Sequence, residues 1–172
     1  MQPKALILTA DGYEDSELFY PFYRLQEAGY TVDIAAPKAG KVTGKHGYTM
    51  TANLGLDEVP PQAARTYKVL VLPGGKAPAA LREIPKVTEI ARDFAETGTL
   101  IAAVCHGPQV LVTAGLLRGK RATCYATVAE ELKAAGAQYQ DREVVVDGQL
   151  ITSRQPADLP AFMRAVMARL EG

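Results

Sequence analysis

TLIAAVCHGPQVLVTAGLL, residues 99–117, changes character halfway. Its first seven residues form an unbroken apolar run ending at Cys105, which reads as a strand buried on both faces. The remainder opens on His106-Gly107-Pro108, with proline where a first helical turn tolerates it, and reaches Gly115, a helix stop. Strand, sharp turn, helix is the unit of a parallel α/β sheet. The same unit recurs along the chain. ALILTA (5–10), VDIAA (32–36) and KVLVLP (68–73) are further continuous apolar runs of strand length. Helical patterns lie between them at 16–30 and 84–98, each meeting a glycine near its end. Alternation of this kind predicts a doubly wound α/β fold with a mostly parallel central sheet.

Three segments depart from that rhythm. GKVTGKHGYTMTANL (40–54) mixes glycines with alternating residues and predicts a small hairpin or extended excursion. REVVVDGQLITSRQ (142–155) predicts two strands around Asp147-Gly148, a strong hairpin turn. Pro21 falls inside the helical stretch 16–30, so that helix either begins after it or bends at it. The closing segment, PADLPAFMRAVMARLEG, predicts a helix with Pro156 and Pro160 near its start. No internal repeat or linker divides residues 1–172, which are expected to form a single domain.

Composition narrows the function. Hydrophobic residues at 48% and charged residues at 22% exclude a disordered chain. A domain of 172 residues buries roughly 70% of the surface that its unfolded chain exposes, so it needs no disulfide or metal staple. The 19 basic and 19 acidic residues cancel. This leaves no electrostatic reason to expect nucleic acid or a membrane surface as partner. The N-terminal MQPKALILTADGYED lacks the length and cleavage site of a signal peptide. With two cysteines and no secretion signal, the expectation is a cytoplasmic protein with free thiols. No cofactor is expected, and two histidines without a cysteine cluster give no structural zinc pattern.

In an open α/β sheet the ligand crevice lies beyond the carboxyl ends of the strands. That rule gathers three groups at one rim: Asp11, Glu14 and Asp15 after the first strand; Gly74 and Gly75 after the third; and Cys105-His106-Gly107 after the fourth. A cysteine in the turn before a helix lies near unpaired backbone N–H groups that favour its thiolate. Such a turn can require the strained backbone of a nucleophile elbow. Cys105 is therefore a candidate nucleophile; the alternative is a buried structural cysteine. His106 is either its base or a residue that only stabilises the turn. Gly75 can offer its N–H to an oxyanion or serve only as a turn glycine, with Gly74 beside it. Glu14, if the strands are adjacent, stands beside the sulfur and donates a hydrogen bond from a raised-pKa carboxyl; otherwise it is a first-turn helix acid. His46 is expected in a turn, Cys124 in the core or crevice wall, and Tyr125 along the site wall.

TADGYEDSEL, AAPKAGKVTGKHGY, VLVLPGGKAP, AVCHGPQVLVTAGLLRGK and EVVVDGQLITSRQPADL together make the chain resemble the intracellular protease PfpI family. Its superfamily also holds the Parkinson-disease-associated protein deglycase. The resemblance implies a flavodoxin-like three-layer sandwich, dimeric and in some members hexameric. It implies Cys105 as nucleophile on a strand-to-helix elbow, His106 adjacent, Glu14 as the acid at the sulfur, oxyanion amides from Gly75 and His106, and Tyr125 near the site. One position departs. Where protease-type members carry a triad acid supplied by a neighbouring subunit, KAPAALR places Ala79. The resemblance thus implies a stress-related cysteine hydrolase acting on a carbonyl or peptide substrate, with proteolysis weakened by Ala79. Glyoxalase or deglycase chemistry on methylglyoxal-type dicarbonyls needs no triad acid and is the first alternative. A non-enzymatic thiol sensor or holdase is the second.

Overall fold

The computed structural model describes residues 1–172. In chain order the strands are β1 (Lys4–Leu8), β2 (Thr31–Ala36), β3 (Gly40–Thr43), β4 (Thr49–Ala52), β5 (Leu54–Gly55), β6 (Val69–Leu72), β7 (Leu100–Val104), β8 (Arg121–Ala122), β9 (Gln138–Tyr139), β10 (Val145–Asp147) and β11 (Leu150–Ser153). The helices are α1 (Asp15–Glu27), α2 (Ala63–Thr66), α3 (Ala77–Leu81), α4 (Pro85–Thr97), α5 (Pro108–Thr113), α6 (Ala129–Ala134) and α7 (Leu159–Glu171). Seven strands form one sheet in the order β10-β11-β7-β6-β1-β2-β5. Every pairing in it is parallel except β10 with β11.

The four apolar runs read from the sequence are β1, β2, β6 and β7, the inner part of that sheet. All four residues of β6 and all five of β7 are buried, as strands covered on both faces must be. The covering follows from handedness. From β1 the chain moves one way to β2 through α1, and from β6 the opposite way to β7 through α4. Right-handed crossovers in opposite directions put α1 and α4 on opposite faces. Helix α7 packs on α1, while α2, α3, α5 and α6 associate with α4 or with one another. One core of 50 buried residues results.

The excursion at 40–54 is the antiparallel hairpin β3–β4 followed by the edge strand β5. The turn at Asp147-Gly148 joins β10 to β11, with Gly148 at φ 60°. Helix α1 does not begin after Pro21: it runs through it, with Pro21 on its buried face.

Register brings the functional loops together. Leu72 pairs with Ala103, and Val104 pairs with Ser153. The carboxyl ends of β6, β7 and β11 are therefore level, beside that of β1. Strand order reverses between β1 and β6, where a ligand crevice is expected. The two loops leaving that point are tied: Tyr13 bridges Gly75, Glu14 N–H donates to Gly74 O at 3.1 Å, and Lys76 N–H donates to Gly12 O at 2.8 Å. Gly75, at φ 80°, makes this approach possible; a Cβ there would lie 2.5 Å from Gly12 O and 2.7 Å from the Tyr13 carbonyl carbon.

Candidate active site at Cys105

Cys105 leaves β7 and precedes α5 with φ 64°, a left-handed conformation that costs a non-glycine residue on the order of 1–3 kcal/mol. Hydrogen bonds on both sides hold it there. Its N–H donates to Ser153 O at 3.0 Å, its carbonyl accepts the Tyr125 N–H at 3.0 Å, and Gly107 N–H turns back to Val104 O at 2.8 Å. Cys105 is only 6% exposed and lines a cavity of about 500 Å³. Glu14, Lys45, Gly75, Lys76, His106, Tyr125 and Gln155 share that lining.

The His106 ring turns toward the sulfur, with Nδ1 3.2 Å from Sγ. Tyr125 stacks on the imidazole, ring centroids 5.2 Å apart. Burial, reinforced by the charge of Lys45, lowers the His106 pKa, with Glu131 opposing the shift. The ring is therefore neutral near neutral pH, the state in which it accepts a proton. The backbone N–H groups of Gly75 and His106 favour the charged form of the sulfur. His106 thus offers ring and backbone alike, where the sequence left its role open.

Two sequence expectations are corrected here. The carboxyl at the sulfur belongs to Glu17, not Glu14. Glu14 is the residue before α1, and its oxygens reach the tip of the β3–β4 hairpin: Lys45 Nζ at 3.3 Å and His46 Nε2 at 3.0 Å. Glu17, three residues on, points inward, is fully buried, and accepts the Gly74 N–H at 2.8 Å. Glu17 and Cys105 meet across Gly74, where a Cβ would lie 2.6 Å from Glu17 Oε1 and 2.7 Å from Cys105 Cβ. Oε2 of Glu17 is buried without a formed hydrogen bond, a state costly for a carboxylate and tolerable for an acid whose O–H can turn to the sulfur. Sequence did carry a signal for Glu17. It lies on the buried stripe of α1 with Leu18, Pro21 and Leu25, where an acid has no structural reason to be.

The second correction concerns the thiol. A helix N-terminus was expected to favour the thiolate, but α5 has only six residues, and burial dominates. Burial, then the charge of Glu17, pushes Cys105 up to about 12, with the N–H groups of Gly75 and His106 opposing. Burial likewise pushes Glu17 up to about 8, the Gly74 N–H opposing and the charge of Glu14 adding to it. A neutral Glu17 removes its repulsion of the thiolate, so the two groups share protons as a pair.

The shift makes stability depend on pH. Between the ordinary value of 4.5 and about 8, native Glu17 keeps a proton that the unfolded chain has released. Its contribution is therefore full below 4.5 and is lost as pH rises to about 8. Glu17→Gln does not titrate. The stability of wild type relative to this variant is expected to fall across that window, by on the order of a few kcal/mol. Urea unfolding at both ends measures it; a constant difference between the two proteins would mean that Glu17 is charged in the fold.

Sequence reading placed His46 in a turn, and it sits in the one joining β3 to β4. It did not anticipate that this tip, with Lys45, reaches the site. Nor did it single out Lys76 or Gln155. Cys124 is fully buried. Near His106, Glu131 is held by Arg82 and by Gln109 at 3.2 Å. Ala79 lies within the short helix α3. No helix is long and apolar enough to cross a membrane.

Comparison with known proteins places the chain in a family. Residues 3–169 match the DJ-1/PfpI family, and the chain belongs to it. The chain is 48% identical over 161 residues to the protein named deglycase TK1284 of Thermococcus kodakarensis, covering 94% of this chain and 95% of that one. To the deglycase PfpI of Pyrococcus furiosus it is 45% identical over 168 residues, covering 98% and 99%. A solved two-domain structure from Anabaena variabilis, with DJ-1/ThiJ/PfpI-like and ferritin-like domains, superposes with a TM-score of 0.95 at 39% identity. That match covers 99% of this chain and 48% of the other.

Proposed function

We propose that this chain is a cysteine-dependent glyoxalase or deglycase, acting on α-oxoaldehydes such as methylglyoxal and on their adducts with amines. The observation that carries the reading is the meeting at one sulfur of a neutral imidazole at 3.2 Å and a buried acid raised to about 8, with the Gly75 and His106 N–H groups favouring the thiolate. The deglycase names of two relatives support it.

His106 Nδ1 takes the thiol proton as Sγ bonds to the aldehyde carbon. Glu17 gives its proton to the developing alkoxide, which closes a hemithioacetal near the N–H groups of Gly75 and His106. The Glu17 carboxylate then removes the C–H proton from that carbon, and the proton returns to the neighbouring carbon through an ene-diol. A thioester of a 2-hydroxy acid remains. Water then attacks the thioester with the Glu17 carboxylate as base, and His106 returns its proton to the leaving sulfur, so that methylglyoxal plus water gives lactate. With an amine adduct, sulfur displaces the amine, which leaves as an ammonium carrying the protons of His106 and Glu17; the acid released at the end gives its proton back to sulfur. Lactate formation by the purified protein tests the reading. Cys105→Ala is expected to abolish it, and lactate no faster than with an equal concentration of free thiol would overturn it.

The Sγ–Nδ1 contact also supports a second reading, hydrolysis of a peptide through an acyl-enzyme on Cys105. Ala79 leaves no acid at the position of the triad carboxylate, and an imidazole without a carboxylate on its second nitrogen supports acyl transfer poorly. Turnover of a peptide panel that disappears in Cys105→Ala would favour it. A homodimer or hexamer in a reducing cytoplasm belongs to the same proposal, and sedimentation equilibrium measures the oligomer.

A further inference from the structure

The cavity above Cys105 is unevenly charged. Two ammonium groups line it, Lys45 and Lys76, against the one carboxylate of Glu14. Both oxygens of Glu14 are already engaged, by Lys45 at 3.3 Å and His46 at 3.0 Å. The side chains of Lys76, Gln155 and Tyr125 also line the cavity and make no hydrogen bond or ion pair within the chain. All three are donors, and each stands on fixed backbone. Lys76 N–H is bonded to Gly12 O at 2.8 Å, and Tyr125 N–H to Cys105 O at 3.0 Å. Gln155 O accepts the Asp158 N–H at 2.9 Å. Donors placed in advance around a positively charged mouth suit an acceptor-only, negatively charged group.

We propose that Lys76, Gln155 and Tyr125, with Lys45, form a subsite for a carboxylate on the tail of the substrate, so that the site prefers α-oxoaldehydes bearing an anionic tail to neutral methylglyoxal. This rests on the dicarbonyl chemistry proposed for Cys105. The probe is 4,5-dioxovalerate, a methylglyoxal extended by a carboxylate. Its aldehyde carbon bonds to Sγ, its C–H proton moves to the neighbouring carbon, and water releases the thioester. Dicarbonyl plus water gives 2-hydroxyglutarate, with no oxidant or reductant.

Two measurements test it. The first does not depend on turnover: alkylation of Cys105 by iodoacetate and by iodoacetamide, which differ in charge. Both react with the thiolate, so their rate ratio cancels the thiolate fraction. The ratio is expected to exceed that of free cysteine by about tenfold, and to fall toward it in Lys76→Met and at high salt. A ratio equal to that of free cysteine, or one that Lys76→Met leaves alone, overturns the subsite. The second compares kcat/KM for 4,5-dioxovalerate and methylglyoxal. Wild type is expected to favour the former by about tenfold, and Lys76→Met to lose most of that preference. Equal kcat/KM values in wild type also overturn it. If neither dicarbonyl is consumed while alkylation remains charge-selective, the subsite stands and the dicarbonyl chemistry falls. Lys76 is exposed, so the variant is expected to fold.

Discussion

Glutamine at position 17 is expected to lower kcat/KM for methylglyoxal by about 10²–10⁴-fold, the range lost when a positioned general acid–base is removed. The amide is nearly isosteric and keeps an oxygen for the Gly74 N–H, which Glu17 accepts at 2.8 Å. What it lacks is a proton that can leave and return. In the proposed sequence Glu17 protonates the alkoxide and then carries hydrogen between neighbouring carbons, so both steps stop. Cys105 should still be alkylated, because Gly75 and His106 still present their N–H groups to sulfur. Glu14→Gln should cost far less, since Glu14 faces Lys45 and His46 across the cavity mouth. Steady-state lactate assays on the two variants measure this. Equal losses would remove Glu17 from the role given to it here.

A methyl group at Gly107 is expected to damage the fold as well as the site. Its Cβ would meet Leu72 O and lie 2.9 Å from Val104 O, both backbone atoms at the ends of β6 and β7. Neither can move without disturbing the central sheet, so the helix start must shift outward. Overpacking of this kind costs about 1–3 kcal/mol, and a domain of this size loses roughly 2–4 °C of Tm per kcal/mol. Gly107→Ala should therefore melt roughly 2–12 °C below wild type. It should also disturb the His106 N–H, one residue earlier. Gly115→Ala is the control: no atom lies within 4 Å of its Cβ, although φ 76° strains it. Calorimetry that finds Gly107→Ala as stable as wild type would mean that β7 and α5 are less closely packed than this geometry requires.

Sequence by itself determined the architecture. Runs such as LIAAV in β7 and VLVL in β6 are apolar throughout because both faces of an inner parallel strand are covered, and that property is local to the run. It also singled out Cys105 as the candidate centre, since a cysteine between a buried strand and Gly-Pro stands at the carboxyl rim of the sheet, where ligands bind. Tertiary structure alone decided which acid reaches the sulfur. TADGYEDSEL holds four acids; spacing marks Glu17 for the buried stripe of α1, but that this stripe brings its carboxyl to Cys105 depends on how α1 packs on the sheet. It also reversed the expected pKa of the thiol. Burial, a property of every chain segment around Cys105, outweighs the dipole of a six-residue helix. The lysine of the β3–β4 tip and the lysine after Gly75 are 31 positions apart in sequence and share one cavity, because the excursion folds back over the rim of the sheet. Local pattern records what each segment must bury; only packing determines which charged groups, distant in the chain, stand over the same sulfur.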